Sequence, residues 1–249
     1  MIARRPMLIA ALLSVALGGT AFAGETKVAV AANFTEAAKE IAARFKAKTG
    51  HDASLSFGSS GQFYTQIANG APYEVFLSAD AERPRKAEAE GLAVPGSRFT
   101  YATGRLVLYS KTPGLVDGKG KVLTTGKFEK LSIADPKAAP YGQAAVETLT
   151  KLKLYDALKP KIVQGSSITQ AFQYVQTGAA ELGFVALSQV MTEQGGSRWV
   201  VPASNHTPID QQAVLLKTGA NSEVAKAFLK FLKSGDAKAI IKRYGYEVR

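Results

Sequence analysis

Cysteine occurs nowhere in the 249 residues, and histidine only twice, as His51 and His206. The first absence excludes disulfides and thiolate chemistry. It also removes every cysteine-based metal motif, and the two histidines stand far apart in sequence rather than at ligand spacing. Long apolar runs are scarce. One lies near the start, from about Met7 to Leu17, and it is too short for a comfortable membrane span. No second run of spanning length follows, so a soluble mature protein is expected. Acidic residues are in deficit, with 20 Asp and Glu against 31 Lys and Arg and a net charge of +11.

What is present begins with a leader. MIARRPMLIAALLSVALGGTAFAG carries Arg4 and Arg5, then the short apolar run, then Ala21-Phe22-Ala23. A charged stretch, an apolar stretch and an A-x-A site are the parts of a secretory signal peptide. Cleavage is expected after Ala23, with export to a bacterial periplasm. The leader holds two arginines and no acid, so the mature charge falls from +11 to +9. In an exported protein that charge points to small anions or anionic surfaces, not to genomic nucleic acid. Apolar residues make up 46% of the chain, enough for a packed core.

The mature part alternates short apolar runs with helical patterns. Lys27–Ala32 reads as a strand, and Thr35–Lys48 as a helix with Ala38, Ile41, Ala42 and Phe45 on one face. Strands are predicted at Ala53–Phe57, Glu74–Leu77, Arg105–Ser110, Leu131–Ala134, Lys161–Val163, Leu182–Ala186, Trp199–Val201 and Gln212–Leu216. Helices are predicted at Gly61–Ala68, Glu82–Glu90, Tyr141–Leu152, Thr169–Thr177, Ser222–Lys233 and Ala237–Tyr244. Such alternation implies parallel sheets covered by helices. Two series occur, Lys27–Glu90 and Leu131–Ala186, with extended segments Phe99–Ser110 and Val200–Leu216 on either side of the second. The pattern therefore predicts two α/β domains joined by two crossing strands, with the C-terminal helices returning to the first. Thr112–Lys121 reads as an exposed loop.

Four strand-to-helix junctions share one chemistry: Ala32-Asn33-Phe34-Thr35, Gly58-Ser59-Ser60-Gly61, Ala139-Pro140-Tyr141-Gly142 and Gly165-Ser166-Ser167-Ile168-Thr169. In open α/β sheets this edge is where ligands bind. A helix start offers free N–H groups and the positive end of its dipole, which suit an anion. Ser and Asn are also preferred caps, so a single junction has a second explanation. Two junctions from each predicted domain, all on the same edge, favour a cleft lined by neutral donors.

The runs VAVAANFTEAAKEIAARFKAKTG, SFGSSGQFYTQIANGAPYEVFLSAD and ADPKAAPYGQAAVETLTKL resemble the periplasmic molybdate-binding proteins of ABC transporters. GAPYEVFLSAD and ADP…APYG carry most of the likeness, which extends over nearly the whole mature chain. The resemblance implies an α/β, two-lobed periplasmic-binding-protein fold of type II, with two domains of parallel or mixed sheet joined by two crossing strands. On that fold the chain divides into the signal peptide 1–23, a first lobe of 24–104 plus 206–249, and a second lobe of 105–205, with the ligand between them. It implies capture of molybdate, usually also tungstate, for a membrane permease driven by a cytoplasmic ATPase. The resemblance implies no enzymatic activity, no cofactor and no nucleic-acid partner, and it fits a monomer.

The family's ligand positions fall on Asn33 in the first turn, Ser60 with Ser59 as its supporting neighbour, a backbone contact at Ala79, Tyr141 in the APYG turn, and the backbone at Ile168. Many relatives place a ligand tyrosine where this chain has Ala186, so Tyr141 is expected to replace that donor. Molybdate carries no proton at neutral pH and only accepts hydrogen bonds, which fits a set without carboxylates. Asp80 and Asp135 are read as holding their own loops. The aromatic set Phe34, Phe57, Phe63 and Tyr64 is read as core and hinge packing rather than a sugar site. Sulfate or another tetrahedral oxyanion is the alternative ligand. A serine hydrolase using Ser59 or Ser60 is the rival of another class, although GSSG is not a G-x-S-x-G elbow.

Overall fold

A computed structural model describes residues 23–248, so the leader lies outside the described residues but for Ala23. The chain starts with β1 (Glu25–Ala31), a 3-10 turn (Ala32–Phe34) and α1 (Thr35–Thr49). Next come β2 (Asp52–Gly58), α2 (Ser60–Ala68), β3 (Val75–Leu77), α3 (Glu82–Ala89) and β4 (Phe99–Gly104). The middle holds β5 (Leu106–Ser110), α4 (Val122–Thr125), β6 (Leu131–Ala134), α5 (Pro140–Lys151), α6 (Tyr155–Leu158) and β7 (Ile162–Gly165). Then follow α7 (Ile168–Gln176), β8 (Leu182–Ala186), α8 (Leu187–Val190) and β9 (Ser197–Val200). The chain ends with β10 (Ile209–Leu215), α9 (Glu223–Leu232) and α10 (Gly235–Arg243).

The strands form two five-stranded sheets, β2-β1-β3-β10-β4 and β7-β6-β8-β5-β9. Both are mixed, as the two-lobed reading with crossing strands allows. The βαβ series do pair in parallel, β1 with β2 and β3, and β6 with β7 and β8. The extended segments add antiparallel neighbours: β10 lies against β3 and β4, and β5 against β8 and β9. These segments have no crossover helix to reverse their direction, so they return along the sheet the other way. The first changes sheet at Arg105, between β4 and β5. The second is broken by a 3-10 turn at Ala203–Asn205 before β10 re-enters the first sheet.

Helices cover the sheet faces. On the first sheet, Val28, Val30, Ile41, Phe45, Phe228 and Ile241 bury one face, while Phe63, Ile67, Phe76 and Val214 bury the other. The helix α1 stops at Gly50, whose φ of +76° is left-handed. On the second sheet, Leu131, Ile133, Leu149, Ala171 and Phe184 form the larger core. That core also takes in Ala31, the last residue of β1, and Ala32 and Ala79, which follow β1 and β3 of the first sheet. Apolar packing is therefore continuous across the boundary between the two sheets.

Smaller readings need correction. The 112–121 segment is not wholly exposed: Val116 is buried in the second core, and Gly120 packs under Trp199, where a Cβ would strike the indole. Short α4, α6 and α8 have too few residues for a helical period to register. Phe34 and Phe63 are core residues, but Phe57 is 38% exposed on the edge strand β2, and the Tyr64 hydroxyl bonds Glu90 at the surface.

Gly104 ends β4 one residue before the chain changes sheet. A Cβ there would invade the Tyr141 hydroxyl and stand 2.7 Å from Gln211 Nε2. Gly104→Ala is expected to lower stability by about 1–3 kcal/mol through overpacking. Urea denaturation checks this, and a variant as stable as wild type contradicts the packing described.

Candidate functional site

The four junctions become the first turns of helices. At α2, Ser59 is the cap: its Oγ accepts from Gln62 N–H at 3.4 Å, and Gln62 Oε1 accepts from Ser59 N–H at 3.3 Å. At α7, Ser167 Oγ accepts from Gln170 N–H at 3.3 Å. In each case the serine serves the third N–H of the helix and leaves the first, at Ser60 and at Ile168, without an intrahelical acceptor. At α5 the cap is Ala139, which offers no side-chain acceptor, and Pro140 has no N–H to satisfy. Capping and anion binding are therefore not exclusive here, because they draw on different N–H groups of one turn.

Ser60, Ala79, Tyr141 and Ile168 are all buried, as are Asn33 and Ser59. Ser60 Oγ accepts from Ala79 N–H at 2.9 Å, which fixes the serine oxygen. Its hydroxyl proton has no acceptor among the described residues. Ala79 thus acts on Ser60 in this geometry. Tyr141 Oη accepts from Gln211 Nε2 at 3.3 Å. Burial pushes the Tyr141 phenol well above its ordinary range, so it stays protonated at neutral pH.

Asn33 is more heavily engaged. Its Nδ2 donates to Gln211 Oε1 at 2.9 Å and to Tyr246 Oη at 3.0 Å, which uses both amide protons. Its carbonyl accepts from Tyr246 Oη at 2.6 Å and Ser188 Oγ at 2.9 Å. The donor this residue still has to offer is its backbone N–H, at the start of the 3-10 turn.

Contacts between elements of the two sheets hold these turns together. Gly61 N–H donates to the Ala138 carbonyl at 2.8 Å, and Arg83 Nη2 to the Lys137 carbonyl at 2.9 Å. A Cβ on Gly61 would stand 3.0 Å from Ala138, so only glycine permits that backbone approach comfortably. Thr169 Oγ1 reaches the Ala32 carbonyl at 3.4 Å. The sequence reading missed Gln211, Tyr246, Ser188 and Gly104. The doubled glutamine Gln211-Gln212 inside an apolar strand was the one available signal, since a buried amide in a strand needs a partner.

Charged groups near the turns are already partnered. Asp80 accepts from Arg83 N–H and from Ser78 Oγ, both at 3.0 Å, and pairs with the Arg83 guanidinium. Asp135 accepts from Lys137 N–H at 2.9 Å. A cleft of about 390 Å³ opens beside the turns, lined by Asp80, Glu82, Glu147 and Asp210 as well as Arg85 and Arg98. It reaches Ala79 but none of the other five candidate residues, and its surplus of carboxylates suits a dianion poorly. The histidines bond elsewhere: His51 Nδ1 accepts from Gly24 N–H at 3.0 Å, and His206 Nδ1 lies 2.7 Å from the Thr207 carbonyl. Neither is hydrogen-bonded to Ser59 or Ser60 as a base would be. Ala186, the alternative tyrosine position, is buried and donates its N–H to Gln189 Oε1 at 3.0 Å.

Residues 26–247 match the family model described as bacterial extracellular solute-binding protein. The chain is 60% identical over 226 residues to the molybdate-binding protein ModA of Rhodobacter capsulatus, covering 91% of this chain and 89% of that protein. It is 54% identical to ModA of Azotobacter vinelandii, with 96% of each covered. The solved Azotobacter vinelandii periplasmic molybdate-binding protein superposes with a TM-score of 0.88 at 46% identity, over 90% of this chain and 99% of that one. The chain belongs to the family of bacterial extracellular solute-binding proteins, among the relatives of ModA.

Proposed function

We propose that this protein captures molybdate, and tungstate with it, in the periplasm and hands it as a monomer to an ABC permease powered by a cytoplasmic ATPase. The observation that carries the reading is the donor set. Buried helix starts from both sheets present N–H groups and hydroxyls, and no candidate residue is a carboxylate. A tetrahedral dianion without a proton can only accept, so every contact with such a set is favourable. The relatives at 54% and 60% identity, both named for molybdate, support the same ligand.

Within this reading Ser60 and Tyr141 donate their hydroxyl protons, while Asn33 and Ile168 donate backbone N–H groups. Ser59 and Ala79 support Ser60, Ser59 by capping the turn and Ala79 by donating to its oxygen. The lobes are 24–104 with 206–249, and 105–205, and the oxyanion lies between them. A protonated phosphate needs an acceptor, and the acids beside the site already hold their own loops. Sulfate has the charge and acceptors of molybdate, and is rejected by size: the smaller ion leaves some donors unpaired. Each buried donor left without a partner costs roughly 1–3 kcal/mol.

Titration calorimetry with molybdate, tungstate, sulfate and phosphate tests the ligand. Molybdate and tungstate are expected to displace each other and to bind at least about a hundredfold more tightly than sulfate, the equivalent of about two lost donors. Tighter binding of sulfate or phosphate overturns the assignment. In the same titration, Ser60→Ala and Tyr141→Phe are expected to weaken molybdate binding by about tenfold or more, for the loss of one buried donor. Ser59→Ala is expected to cost less, because it removes a cap rather than a contact. Equal losses in all three contradict the assigned roles.

A further inference from the structure

Gln211 is a fully buried glutamine in the interior of β10, at the point where the register with β4 shifts. Strand interiors seldom hold a buried amide, because each end must find a partner or pay for its desolvation. Gln211 satisfies its two ends in opposite senses. Oε1 accepts from Asn33 Nδ2 at 2.9 Å and from Tyr101 Oη at 3.0 Å. Nε2 donates to Tyr141 Oη at 3.3 Å. The three partners come from the first 3-10 turn, from β4 and from α5. Asn33 and Tyr141 are two proposed ligand contacts, attached to different sheets.

Direction matters more than contact. Asn33 Nδ2 donates into Oε1, and Tyr101 shares its one proton between Oε1 and the Ser78 carbonyl, so it is the Asn33 amide that a flipped Gln211 would meet donor to donor. Nε2 must therefore face Tyr141. A phenol that accepts from an amide cannot also donate to it. The Asn33 side chain also meets the Tyr141 phenol, in the same donating sense as Gln211, so the phenol proton points away from both amides. Gly104 leaves the space in which Nε2 and Oη meet, since a Cβ there would strike both.

We propose that Gln211 is the positioning residue that sets the proton polarity of the oxyanion site, turning the Tyr141 hydroxyl into an obligate donor to the guest. The proposal rests on the molybdate reading above and deepens it. A methionine in its place has no donor and lets the phenol spend its proton elsewhere. A glutamate in its place matches the glutamine only while protonated, when it has one donor and one acceptor. Once ionised it only accepts, and it draws the Tyr141 proton to itself.

The test is a double-mutant cycle with molybdate by calorimetry on the folded full-length mature protein. Gln211→Met is expected to weaken binding about tenfold in the wild-type background and to have almost no further effect in Tyr141→Phe, because interacting sites are not additive. Equal losses in both backgrounds indicate a purely structural role and overturn the proposal, as does no loss in the wild-type background. If Gln211→Met does not fold, Gln211→Glu carries the test. Burial raises a carboxyl pKa, so binding is expected to strengthen at least tenfold from about pH 8.5 to about pH 5.5. That pH dependence is expected to vanish in the Tyr141→Phe background. Its persistence there marks simple charge repulsion and overturns the proposal, and so does its absence from the Gln211→Glu protein. A Tyr141→Phe protein that binds like wild type removes Tyr141 from the site, which is failure of the underlying reading and not of the coupling alone.

Discussion

A helix start has more N–H donors than its own carbonyls can accept from, and the site depends on how that surplus is divided. Ser59 and Ser167 take the third N–H of their helices and leave the first. Proline at the start of α5 removes one N–H altogether. The turns are thus stabilised as helices and still keep donors in reserve. Positive charge is supplied by peptide dipoles and not by side chains, because Arg83 is committed to Asp80 and Lys137.

Those donors matter only if they converge, and the packing between the sheets provides this. Ala31, Ala32 and Ala79 are small enough to join the core of the second sheet. Gly61 brings one backbone directly onto another. The buried amides and phenols behind the turns then fix direction. Asn33 is held from both ends by Gln211, Tyr246 and Ser188, so the first turn is anchored to β10, α8 and the C-terminal segment at once. Networks of this kind are worthwhile only when every member is satisfied. Asn33 gives both amide protons to this network, and Gln211 and Tyr246 each donate and accept within it.

The parts of this arrangement that depend on near neighbours in sequence were legible. Strand alternation marked both βαβ series, and the serine and asparagine junctions marked the helix starts. Asp80 and Asp135 hold their loops as read, since their partners lie two or three residues away. What depends on distant partners was not legible. Gln211 and Asn33 are 178 residues apart, and Asn33 and Tyr246 are 213 apart, so neither pattern nor propensity joins them. The donor role at Asn33 also could not be read, because its amide protons are spent only once Tyr246 and Gln211 arrive. The neighbours of β10 were not legible for the same reason: it looks like any apolar run until β3 and β4 flank it.

The central claim is that neutral, permanently protonated donors hold a fully deprotonated guest. Buried Tyr141 keeps its proton far above neutral pH, and no candidate residue titrates near it. Calorimetry of molybdate binding at pH 7 in buffers of different ionisation enthalpy measures protons exchanged on binding most directly. The account predicts none, with the same binding enthalpy in every buffer. Uptake or release approaching one proton per molybdate would contradict it, because a titrating group would then have to be part of the site.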